Sequence, residues 1–265
     1  QGEAGTGKQR LAHGIHMAGV HANGPLISIN CSDITPELLE QELFGAKTGE
    51  ISHPGKLELA SGGTLLLDEI EKLPAQIAEK LAEALRTKKI YRIGEDIERD
   101  INVRIIALSD DNLRRLCEKN LFHEKLFEIV SRSIVHLPPL RGRREDIPLL
   151  AKSIVSEIAV QHKIAAKQFS DAAIKILFEY DWPGNIKQLQ YVIENAVFNA
   201  KKDIIDAEDI SLMGNIKPDS KWKEDKDIFI QAWHAAGGNV SRLANLLGVS
   251  RVTLYRYIKK YGVEK

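Results

Sequence analysis

Seven residues at the start of the chain, Gly2-Glu3-Ala4-Gly5-Thr6-Gly7-Lys8, hold the densest concentration of candidate chemistry in the sequence. Their spacing is G-x-x-x-x-G-K, with Gln9 where a serine or threonine usually follows. Gly2, Gly5 and Gly7 let the backbone turn so that successive N–H groups, Thr6 among them, converge on phosphate oxygens. Lys8 supplies a point charge, and the helix that follows presents its positive end. Gln9 takes the position from which the usual hydroxyl would bind magnesium. Further on, Leu65-Leu66-Leu67-Asp68-Glu69 puts two acids at the carboxyl end of an apolar run. There Asp68 can hold Mg²⁺ through its water shell and Glu69 can orient an attacking water. The two motifs together read as an ATP-binding domain using ATP and Mg²⁺. The competing readings are a plain glycine turn and a pair of surface acids.

Such a site needs a sheet and helices to position it. Leu26-Ile27-Ser28-Ile29, the run Thr64 to Leu67 and Val103 to Leu108 read as strands. Between them, Thr35-Pro36 fits the start of a helix through Leu38, Leu39 and Leu43, and Ile77, Leu81 and Leu85 repeat at helical spacing. Strands alternating with helices predict an α/β fold with a parallel sheet. After Pro138-Pro139 the strand signal vanishes, and Ser170 caps a helix through Ile174, Leu177 and Phe178, with another marked by Ile186, Leu189, Ile193 and Ala196. The expected organisation is an α/β unit over 1–138, a helical unit over 139–213, a linker over 214–222 and a helical module over 223–265. A 265-residue chain that is 43% hydrophobic and 28% charged is a folded protein of about two domains, not a disordered one. No apolar run reaches the roughly 18 residues needed to span a bilayer. Cys31 and Cys117 match neither a disulfide framework nor a zinc knuckle, which fits a reducing compartment and a cytoplasmic protein. The chain opens inside its glycine motif without an initiator Met, so it reads as a fragment of a longer protein. His13, His16 and His21 are expected to face solvent on a helix rather than to bind metal.

Net charge is zero over the chain, but residues 231–265 carry six basic groups against Glu264 alone, a local +5 that leaves −5 for the rest. That asymmetry points to one module touching phosphate, or to a solvated helical face. Ile228, Ala232 and Trp233 open a helix that ends near Gly237-Gly238, Asn239 caps a second through Leu243 and Leu247, and Ser250 caps a third. In the third, Leu254 and Ile258 face inward while Thr253, Arg256 and Lys260 point away and Arg251 sits at the start. This is helix-turn-helix geometry for double-stranded DNA. Arg256 and Thr253 are the candidates for base edges; Asn239, Ser241, Arg251 and Lys260 are the candidates for phosphates. A 43-residue module has little surface for specific binding, so a dimer on half-sites about 34 Å apart is expected.

Several segments together resemble the AAA+ domain of sigma-54-type bacterial transcription activators, the enhancer-binding proteins. They are Leu43-Phe44-Gly45, Gly62-Gly63-Thr64-Leu65 through Asp68-Glu69-Ile70, Leu137-Pro138-Pro139-Leu140-Arg141 with Arg143-Arg144-Glu145-Asp146-Ile147, and Trp182-Pro183-Gly184-Asn185. The segment from Gly237 to Arg256 resembles the Fis-type DNA-binding domain that ends these proteins. The resemblance implies a P-loop AAA+ domain with a helical lid starting at Pro138-Pro139, ring hexamers, and ATP hydrolysis that remodels promoter-bound RNA polymerase. It implies that Asn30 pairs with the catalytic Glu69, and that Lys187 stands for the arginine by which the lid reaches nucleotide.

The sequence also departs from that family. Only nine residues, Ala46 to Pro54, separate Gly45 from Gly55, so the GAFTGA loop that contacts sigma-54 is expected to be shortened and its motif lost. His123 and Ile129 stand where two arginines would reach a neighbouring subunit's nucleotide, with Arg132 three residues beyond, and Asp110 stands for an asparagine. The strand that precedes the phosphate loop lies outside the sequence. An arginine finger is worth about 10³–10⁵ in rate, so hydrolysis is expected to be weak or lost. These losses resemble the dihydroxyacetone-operon and aromatic-amino-acid regulators. Three functions remain open: a DNA-binding regulator that binds ATP, an ATPase motor acting on sigma-54 polymerase, and a scaffold indifferent to nucleotide.

Overall fold

The computed structural model describes residues 1–212, 226–236, 240–247, 249 and 251–262. The glycine turn leads into α1 (Lys8–Met17), followed by β1 (Leu26–Asn30), α2 (Pro36–Phe44), β2 (Gly45–Thr48), β3 (Ile51–Pro54), α3 (Lys56–Leu59) and β4 (Thr64–Asp68). Then come α4 (Ala75–Thr87), β5 (Lys89–Tyr91), β6 (Glu98–Asp100), β7 (Arg104–Ala107), α5 (Leu113–Glu118) and α6 (Glu124–Val130). The main sheet is parallel in the order β1-β4-β7, with Leu26 opposite Thr64 and Leu66 opposite Ile106. As the middle strand, β4 is covered on both faces, which explains its unbroken apolar run. Leu65 and Leu67 enter the main core with Leu39, Phe44, Leu81 and Leu126, while Leu66 packs with Ala12 and Leu108 on the other face.

The register matters because it brings two loops together. β1 and β4 run side by side to end at Asn30 and Asp68, which face each other across the ladder. Beyond β7 the chain's first residues continue the layer: Gly2 donates to Ser109 O at 3.2 Å, and Leu137 donates to Gln1 O at 2.8 Å. Gln1 in turn donates to Val135 O at 2.8 Å. An apolar cavity of about 410 Å³ opens between β7, α1 and residues 129–137, lined by Leu11, Ile15, Ile106, Val130 and Val135 among others.

Two hairpins were not foreseen from the sequence. β2 pairs with β3, and β5 with β6, both antiparallel. The first is tied to the chain after β5: Lys47 donates to Ile93 O at 2.8 Å and Ile93 to Gly45 O at 3.0 Å. A half-buried ionic cluster reinforces it, with Arg92 bridging Glu58 and Ser52, and Arg99 reaching Glu95.

After Pro139 the chain builds a second core from α7 (Ile147–His162), β8 (Gln168–Phe169), α8 (Asp171–Glu179), α9 (Asn185–Asn199) and β9 (Ile204–Ile205). Ser170 caps α8, accepting from Ala173 N at 3.2 Å. Trp182 fills the centre of this core with Leu140, Leu177, Leu189 and Ile193. The expectation that strands vanish here needs correcting: β8 and β9 form a two-residue parallel pair. Such a strand arises from contact between distant segments and leaves no local periodicity. A third core joins α10 (Lys226–Ala235), α11 (Val240–Leu247) and α12 (Arg251–Tyr261), with Phe229, Trp233, Leu243, Leu247 and Leu254 buried together. Among the described residues no helix is long and apolar enough to cross a membrane.

Two of the three histidines depart from expectation: His21 lies in a turn beyond α1, half-buried, with its Nδ1 3.3 Å from Gly62 O. His13 is exposed, but His16 is 3% exposed, its Nδ1 within 2.9 Å of the Thr64 hydroxyl. It lies one turn after buried Ala12 on the face of α1 that packs against the sheet. No cluster of three or more potential metal-ligating side chains occurs among the described residues.

Candidate nucleotide site and its lid

The glycine turn presents its N–H groups to one side because its carbonyls are occupied on the other. Lys8 Nζ and the Thr6 hydroxyl both donate to Glu3 O, at 3.0 and 2.8 Å, and Lys8 also donates to Gly2 O at 2.8 Å. The remaining carbonyls are taken from the helical unit. Asn185 donates to Ala4 O at 2.9 Å, Ile186 N to Gly5 O at 2.9 Å, and Arg143 to Thr6 O at 2.7 Å. Among the described residues, the N–H groups of Gly5, Gly7, Lys8 and Gln9 have no protein partner. A concave row of unpartnered N–H groups at a helix start is an anion cradle.

Backbone conformation accounts for the glycines. Gly7 caps α1 at φ 97, a left-handed conformation that costs a residue with a Cβ about 1–2 kcal/mol. Gly5, at φ 77, also lies so close to the lid that a Cβ there would be 2.4 Å from Gly184 O.

Four side chains converge beside this cradle. Gln9 donates to Asp68 at 2.6 Å, so the amide that replaces the usual hydroxyl meets the strand-end carboxylate directly. Asn30 Nδ2 lies 3.4 Å from Glu69 Oε1, and its side-chain Oδ1 accepts from Ser32 N and Oγ at 2.8 and 2.9 Å. Glu69 is left-handed at φ 51, a conformation uncommon in residues other than glycine, and strain of this kind clusters at functional sites. Nearby Cys31 is buried below the acids. Burial first, then the charges of Asp68, Glu71 and Glu69, push its thiol up to about 12.

Lys8 is 8% exposed and pairs with Asp110, the residue standing where an asparagine was expected. Asp110 N donates to Glu71 Oε1 at 3.3 Å, while Glu71 Oε2 is buried without a partner. The donor set fits a magnesium nucleotide: unpartnered N–H groups for phosphate, a lysine, and carboxylates at a strand end.

The lid contacts include residues that sequence reasoning missed. Asn185 is fully buried at φ 54; its Oδ1 accepts from Leu140 N at 2.8 Å while its Nδ2 reaches Ala4 O and, at 3.2 Å, Glu3. Arg141 makes a two-pronged pair with Glu3, and its hydrogen bonds hold the Glu3 carboxyl below the usual range. The signal available was Trp182-Pro183-Gly184-Asn185, a turn ending in a residue that tolerates left-handed backbone.

Other expected residues lie differently. Lys187 comes to the loop through its backbone, N–H to Gly5 O at 3.3 Å, and its side chain is exposed. His123 caps α6, accepting from Leu126 N at 3.4 Å; Ile129 packs against the main core; and Arg132 is exposed. Gly45-Ala46-Lys47-Thr48-Gly49-Glu50 keeps four of the six letters of GAFTGA, with Lys47 for phenylalanine, and Gly45 also ends the Leu-Phe-Gly element. In the C-terminal unit, Asn239 lies outside the described residues. Ser241 falls in α11, and Arg251, Thr253 and Arg256 in α12, with side chains outside the description. Lys260 is exposed, its Nζ 5.3 and 5.1 Å from the ring centres of Tyr257 and Tyr261.

A nucleotide cradle at the end of a parallel strand, closed by a helical lid, defines a P-loop protein of the AAA+ class. Residues 1–135 match the sigma-54 interaction domain, 141–225 the AAA+ ATPase lid domain, and 223–261 the Fis family of bacterial regulatory proteins. The chain therefore belongs to the sigma-54 interaction domain family. It is 34% identical over 275 residues to the alginate biosynthesis transcriptional regulatory protein AlgB of Pseudomonas aeruginosa, covering 99% of this chain and 61% of that one. It is 34% identical over 286 residues to the regulatory protein AtoC of Escherichia coli, covering 99% and 62%. NtrX from Brucella abortus in complex with ADP superposes with a TM-score of 0.74 at 31% identity, covering 99% of this chain and 64% of that chain. The ATP complex of NtrX gives 0.73 at 32%, covering 99% and 63%. The chain thus spans about three fifths of the length of AlgB and AtoC.

Proposed function

We propose that this chain is the nucleotide-binding and DNA-binding part of a cytoplasmic bacterial transcription regulator. It divides into an AAA+ α/β subdomain over 1–138, a lid over 139–213, a linker over 214–222 and a Fis-type module over 223–265. ATP binds with its phosphates on the N–H groups of Gly5, Gly7, Lys8 and Gln9 and on the Lys8 side chain. Asp68 would hold Mg²⁺, through its water shell, and the ion would supply neutralisation of the phosphate charge. The observation that carries this reading is the glycine turn, whose carbonyls are all engaged while the N–H groups of Gly5, Gly7, Lys8 and Gln9 are not, Thr6 N alone turning back to Glu3 O at 3.3 Å. The complexes of NtrX with ADP and with ATP support it.

Turnover is slow in this reading. His123 is engaged as a helix cap and Ile129 is packed into the core, so neither can do the work of an arginine finger, about 4–7 kcal/mol of barrier. The hairpin over residues 45–54 is fixed to Ile93 and the Arg92 cluster, which supports the loss of a free polymerase-contact loop. The chain then acts on RNA polymerase without that loop. The second reading is an ATPase motor on sigma-54 polymerase that works as a hexameric ring. It is favoured by the contact of Asn30 with Glu69, which keeps the water-orienting carboxylate tethered.

Mg-ATP binding and turnover, measured across a protein-concentration series with the full-length protein, separate the readings. Binding with negligible turnover at every concentration supports the regulator. Turnover that climbs with concentration gives the motor, and absence of binding leaves a scaffold. DNA binding, as a dimer on two half-sites of an operator or enhancer, is tested by Arg256→Ala. The variant is expected to lose about 1–3 kcal/mol of operator affinity with nucleotide affinity intact. Unchanged operator affinity and salt slope would remove Arg256 from the interface.

A further inference from the structure

An ammonium group has three protons, and Lys8 uses all of them: on Gly2 O at 2.8 Å, on Glu3 O at 3.0 Å and on the Asp110 carboxylate. The first two bonds are internal to the glycine turn and belong to the conformation that aims its N–H groups inward. The bond to Asp110 is the one that a phosphate oxygen can displace. Asp110 is firmly placed: it follows Ser109, whose carbonyl accepts from Gly2 N, and its own N–H is held by Glu71. In a loop of this kind the lysine serves the outer phosphates, β and γ. Asp110 therefore stands beside the outer end of a bound phosphate chain, in a corner that also holds Glu71.

Building on the nucleotide-binding reading above, we propose that Asp110 is a specificity-determining residue that makes this site favour a nucleoside diphosphate over a triphosphate. A triphosphate has to draw Lys8 away from Asp110 and then hold its terminal charge opposite the freed carboxylate. A diphosphate settles on the N–H groups of Gly5, Gly7, Lys8 and Gln9, meets Lys8 with its β-phosphate alone, and brings no γ-phosphate charge up to the Asp110 carboxylate. Asparagine at this position would offer Lys8 the same oxygen without the charge. The Asp110 side chain keeps 40% of its surface exposed, so water screens the repulsion and the expected preference is about tenfold, not the thousandfold of a dry pair.

Calorimetric titration of the chain with ADP and with ATP, in excess Mg²⁺, tests the assignment. The unaltered protein is expected to bind ADP about ten times more tightly than ATP. Asp110→Asn is expected to tighten ATP about tenfold and change ADP less than threefold, its retained ADP binding showing that it is folded. Asp110→Ala, which removes the charge without replacing the acceptor, must move the ratio the same way. Equal affinities in the unaltered protein, or equal shifts for both nucleotides in the variants, would overturn the preference and leave nucleotide binding standing. Absence of binding by either nucleotide to any of the three proteins would overturn the nucleotide site, and the preference with it.

Discussion

Replacing Asn185 by alanine tests how the lid is joined to the phosphate loop. The side chain is fully buried and serves two backbone groups, the buried N–H of Leu140 and the carbonyl of the exposed Ala4. Truncation leaves the buried Leu140 N–H without a partner, at about 1–3 kcal/mol, while water takes over at the exposed Ala4. Alanine held at the native φ of 54 adds about 1 kcal/mol of backbone strain. The expected loss is about 2–4 kcal/mol for the lid. Asn185→Gly removes the strain and should recover about 1 kcal/mol of it. Hydrogen exchange read by mass spectrometry is the suitable assay, because global unfolding of several units is not one transition. Peptides containing Leu140 and Ile186 should exchange at least thirtyfold faster in Asn185→Ala, since each 1.4 kcal/mol is about a factor of ten. Peptides from α4 should be unaffected. Protection at Leu140 within threefold of the unaltered protein would refute the claim that Asn185 ties the two units together.

Three further outcomes follow from the same geometry. Gly5→Ala places a methyl group 2.4 Å from Gly184 O at a φ of 77, so nucleotide affinity by calorimetry should fall at least tenfold, and a change under twofold would refute the tight approach. Cys31, its thiol pushed to about 12, should resist iodoacetamide in the native protein at pH 8 and react only on unfolding; modification as fast as that of the more exposed Cys117 would contradict its burial. Because Arg141 depresses the Glu3 carboxyl, their pairing contributes fully above the ordinary value of 4.5 and is lost as pH falls through the lower folded value. Both side chains are about two-fifths exposed, so the contribution is less than about 1 kcal/mol. Thermal stability compared between pH 6 and pH 3 should show an acid-dependent loss that is smaller in Arg141→Ala, because the other depressed carboxyls, Glu95 and Asp206 among them, keep their share; identical profiles would exclude the pairing.

The elements legible in the sequence were those whose burial is written locally. Thr64 to Leu67 reads as a strand covered on both faces because every residue in it is apolar or small, and Gly2 to Lys8 reads as a phosphate loop from spacing alone. What escaped depends on partners far away in the chain. Arg92, Arg99 and Glu58 look like ordinary surface charges until a hairpin and a helix bring them together. Asn185 could be seen as the end of a turn but not as the ligand of Ala4, 181 positions earlier. His16 was not legible: a histidine on a helix reads as solvent-facing, and only the Thr64 hydroxyl, contributed by a distant strand, gives it a polar partner on the inward face.

The way the lid grips the phosphate loop has a thermodynamic corollary. Asn185, Ile186 and Arg143 hold the loop by its own carbonyls, so no flexible connector stands between lid orientation and the groups that meet phosphate. Coupling of this kind is reciprocal: if nucleotide changes the energy of one lid orientation, a partner that selects that orientation changes nucleotide affinity by the same factor. A macromolecule docked on the outer face of α7 or α8 would therefore alter nucleotide occupancy without approaching the cradle. The lid is thus as much an input to this domain as an output.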